Sequence, residues 1–206
     1  MILQSNNTLI KHLVNNLRNA NTSSSEFRAI TSQIAKLLCA QALENSNTFE
    51  KTITTWNGSL KTNFIDESQI VLIPILRAGE PMLNGIIELL PNSKSGFLAM
   101  KRDEKTAVSK IYYQHFPNVE NKIVILLDPM VATGGSLIDA ISIIKEQNPK
   151  EILSLNIIGS SFGIDAVDST HPDIKMYIAQ IDDILDENKY ICPGLGDAGD
   201  RAFNTL

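Results

Sequence analysis

Apolar residues repeat along the chain at two different spacings, which distinguish predicted helices from predicted strands. In residues 9–18 and 27–43 they recur at helical intervals, as expected for a helix with one buried face. The serines at 23–25 precede the second helix and are suitable N-caps. Residues 51–64 are rich in threonine and alternate polar with apolar positions, which predicts a hairpin or an extended arm.

Short aliphatic runs predict strands, and the almost unbroken run at 70–76 predicts a strand that is buried on both faces. Their predicted bounds are residues 70–76, 96–100, 123–127, 152–158 and 174–181. Between them one helix is predicted from Pro81 to about Leu90, another over 136–147 and a short one over 164–169. Residues 101–110 are charged and have no apolar period, so we expect a mobile loop or an extended arm there.

The alternation of strands with helices predicts an α/β fold, in which a central parallel sheet is flanked by helices on both sides. Ligands of such sheets bind beyond the carboxyl ends of the strands. Those ends carry small and polar residues here, namely Arg77-Ala78-Gly79, Lys101-Arg102, Asp128 and Ser160-Ser161. We therefore expect the functional site at this edge of the sheet.

Composition predicts one globular domain with a sizeable core. The 206 residues are 43% hydrophobic and carry a net charge of −5, which argues against a general nucleic-acid binder. Cys39 and Cys192 are too few and too far apart for a disulfide framework or a zinc site. The N-terminus has no signal-peptide h-region, and no apolar run approaches the ~20 residues of a membrane span. The sequence thus predicts a cytoplasmic protein without a membrane partner.

The most informative motif follows the strand predicted at 123–127. Asp128-Pro129 leads into a turn of small residues, 131–136, which opens a predicted helix. Unpaired amides and the helix dipole at such a turn both favour a phosphate. A carboxylate at Asp128 suits vicinal hydroxyls, so the combination indicates a ribose 5-phosphate. Similar turns also join strands to helices without binding anything, and the motif alone leaves both interpretations open.

Two other motifs match well-known patterns without the required context. Residues 194–199 match G-x-G-x-x-G, but too few residues follow for the helix and acid of a dinucleotide site. Residues 159–163 match G-x-S-x-G, but the one later histidine, His171, is predicted to close a helix nearby, which disfavours a serine hydrolase. His12, His115 and His171 have no metal-ligand spacing.

Three segments together resemble the uracil phosphoribosyltransferase family. They are residues 71–79, 127–136 and 190–201, of which the glycine-rich last segment is the most specific. The likeness runs from about Leu9 to Thr205. It implies the type I phosphoribosyltransferase fold over a single domain, residues 1–206. Within that domain it implies a core over about 65–181, with a small hood formed by about 1–50 and 182–206.

The resemblance also implies an activity. The family transfers ribose 5-phosphate from phosphoribosyl pyrophosphate (PRPP) to uracil, which yields UMP and pyrophosphate in pyrimidine salvage. Mg²⁺ is the implied cofactor, held through PRPP and water rather than by protein ligands. The family forms homodimers or larger homo-oligomers and is sometimes activated by GTP, so both are expectations for this chain. Nucleic acid is not an expected partner.

Residue by residue, the resemblance implies two adjoining sites. The PRPP site would comprise Arg77, Arg102, Asp128, Pro129, Met130, Val131, Ala132, Thr133, Gly134, Gly135, Ser136 and Asp197. Uracil would be framed by Ile191, Gly196, Asp197 and Ala198. The residues implied in catalysis are Asp128, Arg77, Arg102 and Asp197. Asp197 would either accept the N1 proton of uracil or only bind, because the departing pyrophosphate is an equally suitable acceptor.

Several positions depart from the family pattern. Glu80 puts an acid beside the expected pyrophosphate site, and Lys101 stands where an aromatic residue is common before the arginine. Cys192 and Ser160-Ser161-Phe162 replace the usual aliphatic and alanine-proline-glutamate residues. Two other functions stay open: a regulator of the same fold that binds nucleotides or RNA, and the same transfer to another base. Residues 101–110 are a candidate lid or a solvated hairpin with no gating role.

Overall fold

Five of the six helices in the described residues form where the sequence predicts them, and the short C-terminal helix α6 was not predicted. The computed structural model describes residues 1–102 and 109–205. Its helices are α1 (Thr8–Arg18), α2 (Ser24–Ala42), α3 (Glu80–Leu89), α4 (Gly135–Lys145), α5 (Ser161–Thr170) and α6 (Ala198–Phe203). The predicted serine N-cap of α2 is confirmed: Ser23 Oγ accepts from the Glu26 N–H, and the Glu26 carboxylate accepts from the Ser23 N–H.

Strands occupy the aliphatic runs and some shorter segments. They are β1 (Ile2–Gln4), β2 (Thr48–Thr55), β3 (Gly58–Ile65), β4 (Ile70–Leu76), β5 (Lys94–Ser95), β6 (Phe97–Arg102), β7 (Ser109–His115), β8 (Ile123–Leu127), β9 (Met130–Val131), β10 (Glu151–Ser160), β11 (Lys175–Asp182), β12 (Ile184–Leu185) and β13 (Ile191–Cys192). A 3₁₀ turn, Glu67–Gln69, leads into β4. Six of these strands were not predicted, namely β1, β5, β7, β9, β12 and β13, and β10 is longer than its predicted run.

The main sheet has the order β1-β11-β10-β8-β4-β6-β7, with β5 added beside β4 and β9 beside β10. Its pairs are parallel except that β7 runs antiparallel to β6. The predicted central parallel sheet is therefore confirmed, with one antiparallel strand, β7, added at its edge. Only positions 103–108 separate β6 from β7, which is too short for the crossover that parallel neighbours need.

The sheet is covered on both faces, as predicted. Alternate residues of β4 point to opposite sides, so that Ile70 and Leu72 join a core with α1, α2 and α3. Val71 and Ile73 join a second core with α4 and α5. This division explains why the strand is apolar at every position, and it fixes the carboxyl ends of the central strands between two helical layers.

Two segments lie outside the layers or at their edge. The predicted hairpin is confirmed, since β2 and β3 pair antiparallel from Thr48↔Ile65 to Thr55↔Gly58 as a separate two-stranded arm. The predicted loop or extended arm at 101–110 is strand at both ends, and positions 103–108 lie outside the described residues. The predicted boundary between core and hood stays a prediction. In the described part of the chain, no helix is long and apolar enough to cross a membrane.

Candidate active site

The carboxyl ends of β4 and β8 lie side by side. The two strands pair in parallel up to Pro74 and Leu127, so the turns that follow leave the sheet at neighbouring positions. A β-carbon at Gly79, in the first turn, would lie 2.3 Å from the Leu127 carbonyl oxygen. Any side chain at this position would push the two turns apart, so glycine is required for their close approach.

Two buried polar residues of β10 support the turn that begins at Asp128. Asn156 donates from Nδ2 to the Asp128 carbonyl oxygen at 2.7 Å, and Ser154 Oγ donates to Asn156 Oδ1 at 2.6 Å. Both side chains are fully buried. Sequence reasoning missed them, although two polar residues inside an aliphatic strand are the signal that could have found them. They fix the backbone from which the Asp128 side chain projects.

The Asp128 carboxyl group is itself buried. Asp128 is only 9% exposed, and its Oδ1 accepts from the Met130 N–H at 3.3 Å. Burial raises the pKa of this carboxyl to about 7, against the opposing effect of the Met130 hydrogen bond. Near neutral pH the group therefore changes its charge, and a ligand that hydrogen-bonds to the carboxylate would favour the ionised form.

Helix α4 begins on a glycine that packs against α5. Gly134 is the N-cap, with φ of +79°, and a β-carbon there would lie 2.5 Å from the Gly163 carbonyl oxygen. Ser160 Oγ donates to the Ala132 carbonyl oxygen at 2.5 Å, which ties the same turn to the end of β10. The first N–H groups of α4, at Gly135 and Ser136, have no intrahelical acceptor because no turn precedes them. The arrangement matches an anion site at a helix N-terminus.

Arg77 follows β4 directly, and its side chain reaches the C-terminal segment. The Leu76–Arg77 peptide bond is cis. Arg77 Nη2 donates to Asp200 Oδ1 at 2.7 Å, and Nη1 donates to Thr205 Oγ1 at 3.2 Å. Arg102 ends β6, but its side chain lies outside the described residues, so its predicted pyrophosphate contact stays a prediction.

Three arginines anchor the C-terminal segment to α1 and α2. Arg18 forms a bidentate pair with Asp182 and also donates to the Gly194 carbonyl oxygen. Arg201 donates to the carbonyl oxygens of Leu17, Leu195 and Asn19, and its guanidinium lies over the Phe27 ring. Arg28 donates to the Ala202 carbonyl oxygen at 2.6 Å. Sequence reasoning assigned no role to these arginines, because their partners lie far away in the chain.

The segment predicted to frame uracil is a tight backbone turn. Gly194 and Gly196 have positive φ, and a β-carbon at Gly194 would lie 1.9 Å from the Ile191 carbonyl oxygen. Asp197 caps α6, since its Oδ1 accepts from the Asp200 N–H at 2.9 Å. The Ala198 N–H donates to Met130 Sδ at 3.4 Å. Met130 begins β9, the short strand that follows β8, so this contact joins the predicted PRPP and uracil segments.

Comparison with known proteins decides the family. The sequence profile of the family described as uracil phosphoribosyltransferase matches residues 4–205. A uracil phosphoribosyltransferase from Thermosipho melanesiensis is 43% identical over 198 residues, which cover 96% of this chain and 95% of the relative. The chain belongs to the uracil phosphoribosyltransferase family. The resemblance that the three segments indicated is thereby confirmed.

Solved structures share the fold of this member of the uracil phosphoribosyltransferase family. A structure of a protein from Aquifex aeolicus superposes with a TM-score of 0.95 at 38% identity, covering 98% of both chains. A hypoxanthine phosphoribosyltransferase from Staphylococcus aureus, 13% identical, superposes with a TM-score of 0.52 over 88% of this chain and 84% of its own. The second likeness concerns the fold alone, and it agrees with the predicted type I phosphoribosyltransferase fold.

In this member of the uracil phosphoribosyltransferase family, the G-x-S-x-G motif at residues 159–163 has a structural role. Ser161 Oγ donates to Asp183 Oδ1 at 2.7 Å. The His171 ring nitrogen Nε2 instead lies 3.2 Å from both Ser142 Oγ and the Ile138 carbonyl oxygen. Serine and histidine therefore have separate partners, and the prediction against a serine hydrolase agrees with the geometry.

Two departures from the family pattern have identifiable surroundings. Glu80 lies in the first turn of α3, where its Oε1 accepts from Asn84 Nδ2 at 2.7 Å, a contact within the helix. Cys192 is a free thiol in β13, and its Sγ lies 3.8 Å from the Tyr190 carbonyl oxygen. Among the residues that the structure describes, no group of three or more His, Cys, Asp or Glu side chains is placed to hold a metal ion.

Proposed function

We propose that this chain transfers ribose 5-phosphate from PRPP to uracil and releases UMP and pyrophosphate. The observation that carries the proposal is the contact between Met130 and Ala198, which joins the segment that leads into the phosphate turn to the C-terminal turn that would bind uracil. A donor and an acceptor bound to these two segments would lie next to each other. Family membership and the three predicted segments support the same reaction.

The donor, PRPP, would be bound by backbone N–H groups at its 5-phosphate and by a side chain at its ribose. Its 5-phosphate would lie at the N-terminus of α4, on N–H groups of the turn formed by Thr133, Gly134, Gly135 and Ser136. Pro129, Met130, Val131 and Ala132 form the backbone that leads to this turn. The ionised Asp128 carboxylate would accept hydrogen bonds from the two ribose hydroxyls. A pKa of about 7 means that diol binding would also draw the proton off this group.

The leaving pyrophosphate would lie between Arg77 and Arg102. Breaking the bond from the anomeric carbon to the pyrophosphate oxygen collects negative charge on the leaving group and leaves a cation-like ribosyl centre. Guanidinium groups bind such oxygens more strongly as that charge develops. Arg77 is well placed for this, because its side chain is 56% exposed at the carboxyl edge of the sheet.

Mg²⁺ fits these residues as an ion carried by the substrate. It usually keeps several waters and binds one or two carboxylates together with substrate phosphates, rather than a cage made of protein ligands. The described residues offer single carboxylates, such as Asp128 and Asp197, but no cluster of three or more candidate ligands. When bound, Mg²⁺ would neutralise charge on the pyrophosphate.

Uracil would be recognised by backbone groups of the C-terminal turn. Its O2, N3–H and O4 form an acceptor-donor-acceptor edge, which N–H and C=O groups near Ile191, Gly196, Asp197 and Ala198 would match. Cytosine replaces the O4 acceptor with a donor, so a buried group would lose its partner. The uracil N1 bonds to the anomeric carbon as the pyrophosphate departs, and the N1 proton passes to Asp197 or to the pyrophosphate.

The test is product formation from PRPP and Mg²⁺ with a panel of bases: uracil, cytosine, hypoxanthine and orotate. We expect UMP from uracil alone, and folded protein that yields no UMP would refute the function. Product from another base would instead correct the acceptor. The same assay with and without GTP tests the proposed activation. A gel shift with pyrimidine-operon leader RNA tests the regulator alternative, which the net charge of −5 disfavours.

We extend the proposal to a homo-oligomer that is assembled through the β2–β3 arm. The arm is separate from the main sheet and exposes large apolar side chains: Phe49, Trp56, Leu60 and Phe64. Trp56, at its turn, is 96% exposed and is the single tryptophan of the chain. Exposed apolar patches of this kind mark interaction surfaces.

Dilution combined with light scattering tests this interface. The arm is supported as the interface if the tryptophan fluorescence shifts to longer wavelength on dilution while the mass measured by light scattering falls. Emission that stays constant while the mass falls would contradict it.

A cytoplasmic location also belongs to this proposal. Cys39 and Cys192 are free thiols, which are usual in a reducing compartment. Cell fractionation would test it.

A further inference from the structure

Arg77 is held by hydrogen bonds to the C-terminal segment, which also carries the proposed uracil site. Its guanidinium group donates to Asp200 at 2.7 Å and to Thr205 at 3.2 Å, and Thr205 Oγ1 in turn donates to Asp200 Oδ1 at 2.6 Å. The three side chains thus form a closed triangle of hydrogen bonds. Arg77 follows β4, Asp200 lies in the first turn of α6, and Thr205 lies just beyond the end of α6.

Asp200 also connects this triangle to the predicted uracil site. Its backbone N–H donates to Asp197 Oδ1 at 2.9 Å, and its backbone carbonyl accepts from the Thr205 N–H at 3.1 Å. These bonds fix Asp200 within the first turn of α6. The oxygen that holds Arg77 is therefore rigidly related to Asp197, which the family resemblance assigns to both substrates.

The contacts leave the guanidinium able to bind a ligand. Arg77 uses one N–H on Nη2 and one on Nη1 for its two side-chain partners in the described part of the chain. A guanidinium has five N–H donors, so three remain for an incoming anion. With 56% of the side chain exposed, an anion can approach without breaking the Asp200 contact. The bond between Arg77 and Asp200 can thus persist in the complex.

We propose that Asp200, assisted by Thr205, is a positioning residue that holds Arg77 ready for the pyrophosphate group of PRPP. The proposal rests on the function proposed above, in which Arg77 binds that group. A free arginine side chain loses much rotamer freedom when it is fixed on a ligand. A partner that fixes it beforehand removes part of that loss and strengthens binding.

The carboxylate has an opposing effect that the same experiment can detect. A negative charge beside an anion site repels the ligand, and the pKa of Asp200 is held below its usual value, first by the hydrogen bond from Thr205 and then by that from Arg77. If repulsion outweighed positioning, removal of the carboxylate would tighten PRPP binding. The proposal requires the reverse result.

The test compares Asp200→Ala with Asp200→Asn in steady-state kinetics and in calorimetric titration with pyrophosphate. For Asp200→Ala we expect the KM for PRPP and the dissociation constant for pyrophosphate to rise by about 3- to 10-fold, with the KM for uracil little changed. Asp200→Asn keeps an oxygen that accepts from Arg77 and should restore most of the loss. Unchanged or tighter pyrophosphate binding in Asp200→Ala, or an Asn variant as impaired as the Ala variant, would overturn the proposal.

A double-mutant cycle with Arg77→Ala separates this proposal from the proposed function. If Asp200 acts through Arg77, Asp200→Ala should have almost no effect on pyrophosphate binding once Arg77 is absent. Additive effects would overturn the positioning role. If Arg77→Ala alone left pyrophosphate binding unchanged, the role of Arg77 in the proposed function would fail and the inference with it. The matched control is Asp173→Ala, which breaks the exposed pair with Lys145 and should leave every constant unchanged.

Discussion

Arg18 and Asp182 form a doubly hydrogen-bonded ion pair, with N···O distances of 2.7 and 2.8 Å, that holds both backbone groups of Gly194. Arg18 donates to the Gly194 carbonyl oxygen at 2.7 Å, and Asp182 Oδ2 accepts from the Gly194 N–H at 3.0 Å. Gly194 begins the turn that is proposed to frame uracil. The pair therefore determines where that turn lies relative to α1 and β11.

Replacing Arg18 with methionine should damage both stability and acceptor binding. The Asp182 side chain is nearly buried, so removal of Arg18 leaves a carboxylate without a charge partner, which commonly costs about 3–5 kcal/mol. We expect a lower free energy of unfolding in denaturant titrations. We also expect a higher KM for uracil, with less effect on the KM for PRPP, because the Gly194 turn would lose its anchor.

Lys145→Met is the matched control for this variant. Lys145 pairs with Asp173 at the surface, where such pairs contribute about 0–1 kcal/mol. If the two variants lost the same stability, or if Arg18→Met changed only the KM for PRPP, the anchoring role of Arg18 would be wrong.

Acid should weaken the same Arg18–Asp182 anchor. Although burial alone would raise the pKa of Asp182, hydrogen bonds from Arg18 and the Gly194 N–H hold it below its usual value. Its contribution is thus present above the unfolded pKa and is lost as the pH falls through the folded one.

The Arg18–Asp182 pair also illustrates which features the sequence could predict. The turn at 128–136 is local, so a strand end, an acid and a glycine-rich helix start could be recognised together. Arg18 and Asp182 are separated by 164 positions, and no local pattern relates them. Most of the longer strands and helices followed from the apolar pattern, although β7 did not. Strand β1 did not, because it has three residues at an edge of the sheet and gains its pairing only from β11.

Asn156 was also missed, although its place inside an aliphatic strand is visible in the sequence, and it provides a second prediction. Asn156→Ala should destabilise the fold by about 1–3 kcal/mol, because the Asp128 carbonyl oxygen would lose its buried donor. Asn156→Asp should be more harmful at neutral pH, since a carboxylate oxygen would face that carbonyl oxygen. Thermal unfolding and the KM for PRPP would measure both effects. An aspartate variant that is milder than the alanine variant would contradict the assigned direction of the hydrogen bond.

Gly134→Ala should impair donor binding more than overall stability. Its φ of +79° is unfavourable for alanine, and the new β-carbon would lie 2.5 Å from the Gly163 carbonyl oxygen. The start of α4 would have to move away from α5, which would misplace the N–H groups proposed to bind the 5-phosphate. We expect a loss in kcat/KM for PRPP of about 10²-fold, similar to removing one aligned donor.

Gly58→Ala provides the control for backbone strain alone. Gly58 also has positive φ, +136°, but a β-carbon there would have no neighbour within 4 Å, and it lies in the arm. Its kinetics should match those of the unmodified protein. Equal losses in both variants would show that positive φ, rather than the contact with Gly163, explains the result.

Asp128→Asn should remove a pH dependence of stability that the unmodified protein shows. An unfolded aspartate ionises near pH ~3.9, whereas burial raises the pKa of Asp128 in the fold to about 7. Between these values the folded state keeps a proton that the unfolded state has lost. The free energy of unfolding should therefore fall as pH rises, by up to ~1.4 kcal/mol per pH unit, and level off above about pH 7. Denaturant titrations of both proteins at several pH values would measure the difference, and parallel profiles would contradict it.

The same titration should govern donor binding. If the ionised carboxylate binds the ribose hydroxyls, kcat/KM for PRPP should rise with pH through the free-enzyme pKa of about 7 and then become constant. Asparagine can accept a hydrogen bond but carries no charge, so Asp128→Asn should have a lower and flatter profile at high pH. PRPP itself titrates in this range, and its contribution is common to both proteins, so the ratio of the two profiles isolates Asp128. A ratio that does not change with pH would remove Asp128 from the diol site, even if the variant were less active overall.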